Sequence, residues 1–143
     1  MNEADNEFTI TKRFDAPAEK VFAYFTDPEL LARWHTPNLS VAPSMAVDLT
    51  VGGSYRFEMT DPEGNVHVAV GRYLEIVPDR KLVFTWAWEG TSNPATTVTV
   101  LFEPKGNATE VSLHHAGFAD SDTLMHHRQG WKALLAHLTE ALV

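Results

Sequence analysis

The part of this chain that most limits its possible folds is the C-terminal end, where Leu124, Trp131, Leu134, Leu135, Leu138 and Leu142 recur at steps of three, four and seven. That spacing winds an apolar stripe down one side of a helix, and such a stripe must be buried against something. Upstream, almost everything else reads as strand. Residues 7–15, EFTITKRFD, alternate, with Phe8, Ile10 and Phe14 on one face. Residues 44–50 alternate weakly. Tyr55, Phe57 and Met59 alternate with Arg56 and Glu58, and residues 66–77 form a further strand. In KLVFTWAWE, Leu82, Phe84, Trp86 and Trp88 share a face; Val98, Val100 and Phe102 do so next, then Val111, Leu113 and His115. Turn signals separate these runs: Gly52-Gly53, DPEGN (61–65), Pro78-Asp79, GTSNP (90–94) and PKGNA (104–108). Connections this short predict an antiparallel sheet.

Between the first strand and the rest lies APAEKVFAYFTDPELLARWH (16–35). Pro17 suits the first turn of a helix, and Val21, Phe22 and Phe25 follow at helical spacing, with Tyr24 off that stripe. Asp27-Pro28 reads as a cap and first-turn proline of a second short helix, which carries Leu30, Leu31 and Trp34 and is expected to end near Pro37. The order is therefore β-α-α-β6-α. The sheet is the only large apolar surface available to the last helix, so the fold class is α+β, with the helices on one side of an antiparallel sheet. Residues 1–143 show no linker, repeat or low-complexity tract and are expected to form one domain.

Composition removes several function classes. With no cysteine, disulfides, thiolate metal sites and a cysteine nucleophile are excluded. A formal charge of −8 and the lack of a basic stripe argue against nucleic acid. No apolar run has the length of a membrane span, and the acidic start MNEADNEF lacks the hydrophobic core of a secretion signal. The expectation is a soluble cytoplasmic protein without a cofactor. No serine sits in a G-x-S-x-G elbow, and GGSYR lacks the spacing of a phosphate-binding loop. Glu58, Glu75, Glu89 and Glu103 lie on or beside strands, mostly opposite apolar faces, as a solvated sheet face requires.

Four of the seven histidines fall within HHAGFADSDTLMHHRQGW (114–131). A metal site is tested by direction. Neighbouring strand residues point to opposite faces, so His114 and His115 cannot share an ion. His115 follows Val111 and Leu113 inward; His114 faces out. His127 lies one turn before Trp131 on the buried stripe, and His126 is rotated about 100° away, toward the edge or solvent. Only His115 and His127 converge, fewer than a zinc site needs. His115 then reads either as a core histidine bonded to backbone or to His127, or as a polar group in a pocket. Asp120-Ser121-Asp122 caps the last helix. Gly130, inside that helix, allows close packing or leaves cavity space.

The segments APAEKVFAYFTDPELLARWH, VGGSYRFEMTDPEGN (51–65), GRYLEIVPDRKLVFTW (71–86) and HAGFADSDTLMHHRQGW (115–131) together resemble the Hsp90-ATPase-activator-homologue-like family of the START-like (Bet v 1-like, SRPBCC) superfamily. The resemblance implies a helix-grip fold: a curved antiparallel sheet of about seven strands wrapped around the C-terminal helix, with a cavity that in many relatives binds apolar molecules. Where many relatives have two tryptophans, this chain has Trp34-His35, which makes a polar or ionisable ligand group more plausible. On this reading the partner is an apolar or amphipathic small molecule. Phe57, Met59, Trp86, Trp88, Val98, Val100 and Trp131 form the walls, Trp34 and Phe118 complete the site, and His35, His115 and His127 orient a polar group. The alternatives are a cyclase-, dehydratase- or hydrolase-like enzyme using those histidines as acid and base, or a chaperone-related interaction module. The named chaperone activators carry an additional domain for which this chain is too short, so direct stimulation of the chaperone is not expected. Either a monomer or a homodimer paired through an edge strand such as 44–50 fits the sequence.

Overall fold

Strong hairpin signals in the middle of the chain give a strand meander. A computed structural model describes residues 6–92 and 94–143. In chain order the elements are β1 (Glu7–Phe14), α1 (Ala18–Thr26), α2 (Pro28–Leu31), β2 (Ser44–Val47), β3 (Ser54–Thr60), β4 (Val66–Val77), β5 (Lys81–Trp88), β6 (Thr96–Lys105), β7 (Ala108–Ala116) and α3 (Ser121–Ala141). The seven strands form one antiparallel sheet in the order β1-β7-β6-β5-β4-β3-β2. Strands β2 to β7 follow one another, and β1 closes the far side by pairing with β7, Phe8 opposite His115 and Ile10 opposite Leu113. A register shift between Tyr73 and Glu75 interrupts the pairing of β4 with β5, and such a bulge bends the sheet.

Period-two alternation sends Leu82, Phe84 and Trp86 of β5, Val98, Val100 and Phe102 of β6, and Val111, Leu113 and His115 of β7 into the interior. The helices pack on this concave face. Phe22 and Phe25 of α1 each set their rings edge-on to Phe102 at 5.3 Å. Trp131 of α3 lies 5.3 Å from Trp86, and Leu135 and Leu138 are buried below it. Tyr24 is buried too, and its hydroxyl reaches the Ala141 carbonyl at 3.4 Å, joining the first helix to the end of the last. Charged residues take the outer face: Arg56 pairs with Glu58 and Glu89, Lys81 with Glu75, and Lys105 with Glu103. Exposed pairs of this kind add little stability.

Gly71 is a glycine that the packing cannot replace. A Cβ there would lie 2.0 Å from the Thr85 carbonyl oxygen and 2.7 Å from the Tyr55 ring. Its absence lets Tyr55 cross β4 so that its hydroxyl donates to the Thr85 carbonyl.

The helix caps are those the sequence predicts. The Thr123 N–H donates to Asp120 Oδ1 at 2.8 Å, and the Glu29 N–H to Asp27 Oδ1 at 2.9 Å. The second helix is shorter than expected, a single turn. After Leu31 the Arg33 and Trp34 N–H groups bond back to carbonyls three residues earlier. This tighter winding turns Trp34 into the core, where its indole N–H donates to the Tyr24 carbonyl at 2.8 Å. The strand expected over 44–50 keeps only Ser44–Val47 and forms one edge of the sheet.

The grip on α3 makes a stability prediction. Leu138→Ala, at a fully buried position, is expected to cost about 2–5 kcal/mol. Leu101→Ala, on the outer face of β6 with the residue 46% exposed, should stay within about 0.5 kcal/mol of wild type. Urea unfolding of the two variants makes the comparison.

Candidate functional site

An indole N–H can only donate, and this fixes the protons on the two inward histidines. Trp131 Nε1–H donates to His115 Nδ1 at 3.0 Å, so that nitrogen is bare. The proton of the neutral ring is on Nε2, which donates to Thr96 Oγ1 at 2.6 Å. The Thr96 hydroxyl passes its own proton to the Trp86 carbonyl at 3.0 Å. One chain of hydrogen bonds thus runs from α3 through β7 and β6 to β5. A second link is shorter. Trp88 Nε1–H donates to His127 Nε2 at 3.0 Å, and His127 Nδ1–H donates to the Thr123 carbonyl one turn back at 2.8 Å.

Both rings are therefore neutral, with both nitrogens engaged. A protonated ring would oppose an N–H to the indole N–H. Burial pushes the pKa of His115 down to about 3, with the nearby His127 and His114 adding to the shift. Burial also lowers His127. The two rings stand 5.5 Å apart edge to face, and each takes its hydrogen bonds elsewhere. His114 faces outward, 3.4 Å from Glu7. Among the described residues no three His, Asp or Glu side chains converge as a metal-binding set.

Beside these links a cleft of about 550 Å³ opens between α3 and the β3–β5 end of the sheet. Of the residues expected to form the site, Met59, Trp86, Trp88, His127 and Trp131 line it. Phe57 and His35 lie under its floor, and Trp34, Val98, Val100, His115 and Phe118 are core. The reason is depth. Beyond Trp86 the sheet continues beneath α3 and α1, where Val98 and Val100 are fully covered by packing. His35 is wedged among Trp34, Phe57, Trp86 and Trp131, and burial pushes its pKa down to about 4. Its Nδ1 has no partner among the described residues.

Sequence reasoning missed the rim. Asp61 and His67, joined at 2.8 Å, border the cleft from the β3–β4 hairpin. His126 and His137 border it from α3, and Pro37 from the loop after α2. His126 is exposed, as its helical phase predicts, but stands at the mouth. The signal for Asp61 was available: it continues the inward row Tyr55, Phe57, Met59.

A seven-stranded antiparallel sheet gripping a long C-terminal helix, with a cleft between them, defines a helix-grip protein of the START-like kind. Within that class the chain belongs to the family described as Activator of Hsp90 ATPase homolog 1-like protein, which it matches over residues 15–143. A solved protein of Chromobacterium violaceum is similar at 27% identity and a TM-score of 0.86, covering 96% of each chain. CalU16 of Micromonospora echinospora is 28% identical with a TM-score of 0.73, over 95% of this chain and 75% of its own. An uncharacterized protein of Schizosaccharomyces pombe is 35% identical over 88 residues, 60% of this chain, and the matched stretch spans 21% of the yeast protein.

The buried imidazoles set a pH dependence. Their folded pKa values, about 3 for His115 and about 4 for His35, lie below the ordinary 6.5 of an unfolded histidine. The unfolded chain binds the extra protons, so the stabilisation is complete above pH 6.5 and is lost as pH falls toward 4 and then 3. His115→Gln keeps an acceptor for Trp131 but cannot titrate. Its unfolding free energy should fall less steeply than that of wild type between pH 6.5 and 4, as followed by denaturant titration at each pH.

Proposed function

We propose that the protein binds an apolar or amphipathic small molecule in the cleft between α3 and the sheet. The observation that carries this is Gly130. It lies inside α3 on the cleft wall, and a Cβ there would meet nothing within 4 Å. Glycine weakens a helix interior by about 1 kcal/mol relative to alanine. No close packing is seen at this position, which is exposed at the cleft wall and leaves open space there. The cleft is walled by Trp86, Trp88, Trp131, Met59 and Leu134, and its volume falls in the range of small-molecule sites. Apolar walls without facing atoms forgo dispersion contacts that a ligand would supply.

The acid–base reading receives less support from the same geometry. A catalytic imidazole must offer a substrate either a lone pair or a proton. His115 and His127 have both nitrogens committed, and His35 is sealed under the floor. No observation favours the chaperone-related reading over the cleft.

Two substitutions at one position test the proposal. Gly130→Ala should leave binding of an apolar fluorescent probe intact and raise stability by up to about 1 kcal/mol. Gly130→Leu should fill the cleft and abolish saturable probe binding, with an unchanged circular dichroism spectrum. A wild-type protein that shows no saturable binding of such probes ends this reading.

A further inference from the structure

We propose that the ligand is an amine bound in its ammonium form, its cation seated between Asp61 and the indole wall and its apolar body laid along Trp86, Trp131 and Leu134. This rests on the reading of the cleft as a small-molecule site and names the ligand's chemical class.

The inward row of β3 runs Tyr55, Phe57, Met59, and the next inward position, at the start of the hairpin, is Asp61. Its side chain is only 17% exposed and borders the cleft. The carboxylate is held ionised by what it accepts. Oδ1 takes the N–H groups of Glu63 and Asn65, each at 2.9 Å, and Oδ2 takes His67 Nε2 at 2.8 Å. These bonds, His67 foremost, push its pKa down to about 2. One bond leaves Oδ2 with acceptor capacity to spare.

Among the described residues no lysine or arginine lines the cleft. Asp61 is the one carboxylate among the described lining residues, and it is bonded to His67. The histidine beside Trp88 is kept neutral by the indole that donates to it. His137 donates Nδ1–H to the Thr36 carbonyl at 3.1 Å. The fixed charge on the described rim is thus the Asp61 carboxylate, whatever hydrogen bonds Thr123 and His126 add beside it. A carboxylate ligand would give up its water with no fixed cation to replace it, a costly exchange. An ammonium group finds a carboxylate and three indoles, the aromatic side chains that attract cations most strongly. The chain's charge of −8 adds a long-range field of the same sense.

The test uses three ligands with one aromatic body, naphthylmethylamine, naphthoic acid and methylnaphthalene. Each competes with an apolar fluorescent probe on the intact protein, at a pH above the ordinary imidazole range. The amine is expected to displace the probe at roughly tenfold lower concentration than the acid, a gap that narrows as salt is added. Asp61→Asn, which keeps an acceptor for the turn, should close the gap by weakening the amine. Glu63→Gln removes an exposed carboxylate of the same hairpin that does not line the cleft and should preserve the gap. If Asp61→Asn does not fold, the wild-type gap, its salt dependence and Glu63→Gln still decide. An acid that binds as well as the amine, or a gap that survives Asp61→Asn, overturns the ammonium assignment while displacement by methylnaphthalene upholds the cleft. Failure of all three ligands and of the probe removes the cleft reading itself.

Discussion

Two hydrogen bonds from indole to imidazole, Trp131 to His115 and Trp88 to His127, join the C-terminal helix to the sheet, and much of the molecule is arranged around them. Hydrophobic burial would hold α3 against the concave face in many rotations. A donor-only N–H meeting a ring nitrogen is satisfied in few of them. The first bond fixes α3 against β7, and the second fixes β5 against α3. Between them they place Trp86, Trp88 and Trp131 as stiff walls. The same bonds hold the imidazoles neutral, so the fold's specificity and the chemistry of its interior are set by one arrangement.

This arrangement explains how far the sequence could be read. The strands were legible because period-two alternation and hairpin turns agree along the whole meander. Direction followed from the same alternation: His115 inward and His114 outward needed no structure. Partners were not legible. The bonding partners of His115 and His127 are tryptophans 16 and 39 residues away in the chain, and no local pattern announces such a pairing. Helical spacing continues to Trp34 and predicts a longer second helix, whereas the demand that ends it, an acceptor for a buried indole, comes from α1.

The candidate site was legible in its floor and not in its rim. Aromatic residues at strand spacing mark a wall wherever the fold places it. The rim depends on where the β3–β4 hairpin and α3 face each other, which is a property of the closed sheet. Asp61 also had a sufficient local explanation as the first residue of a turn, and that role is real. One oxygen serves the turn while the other faces a different task. A strong local signal therefore hid a second use of the same side chain.

Gly130 contributes no side chain to the cleft wall, and a Cβ there would meet no neighbouring atom. Elsewhere around the cleft, the Trp88 and Trp131 indoles are locked by hydrogen bonds and Trp86 by burial, which leaves little freedom to adapt. Girth is thus governed from the helix and shape from the sheet. A lineage built on this frame could move from slender to bulky ligands, or to none, by exchanging one rung of α3. The grip that holds the molecule together would not have to be rebuilt.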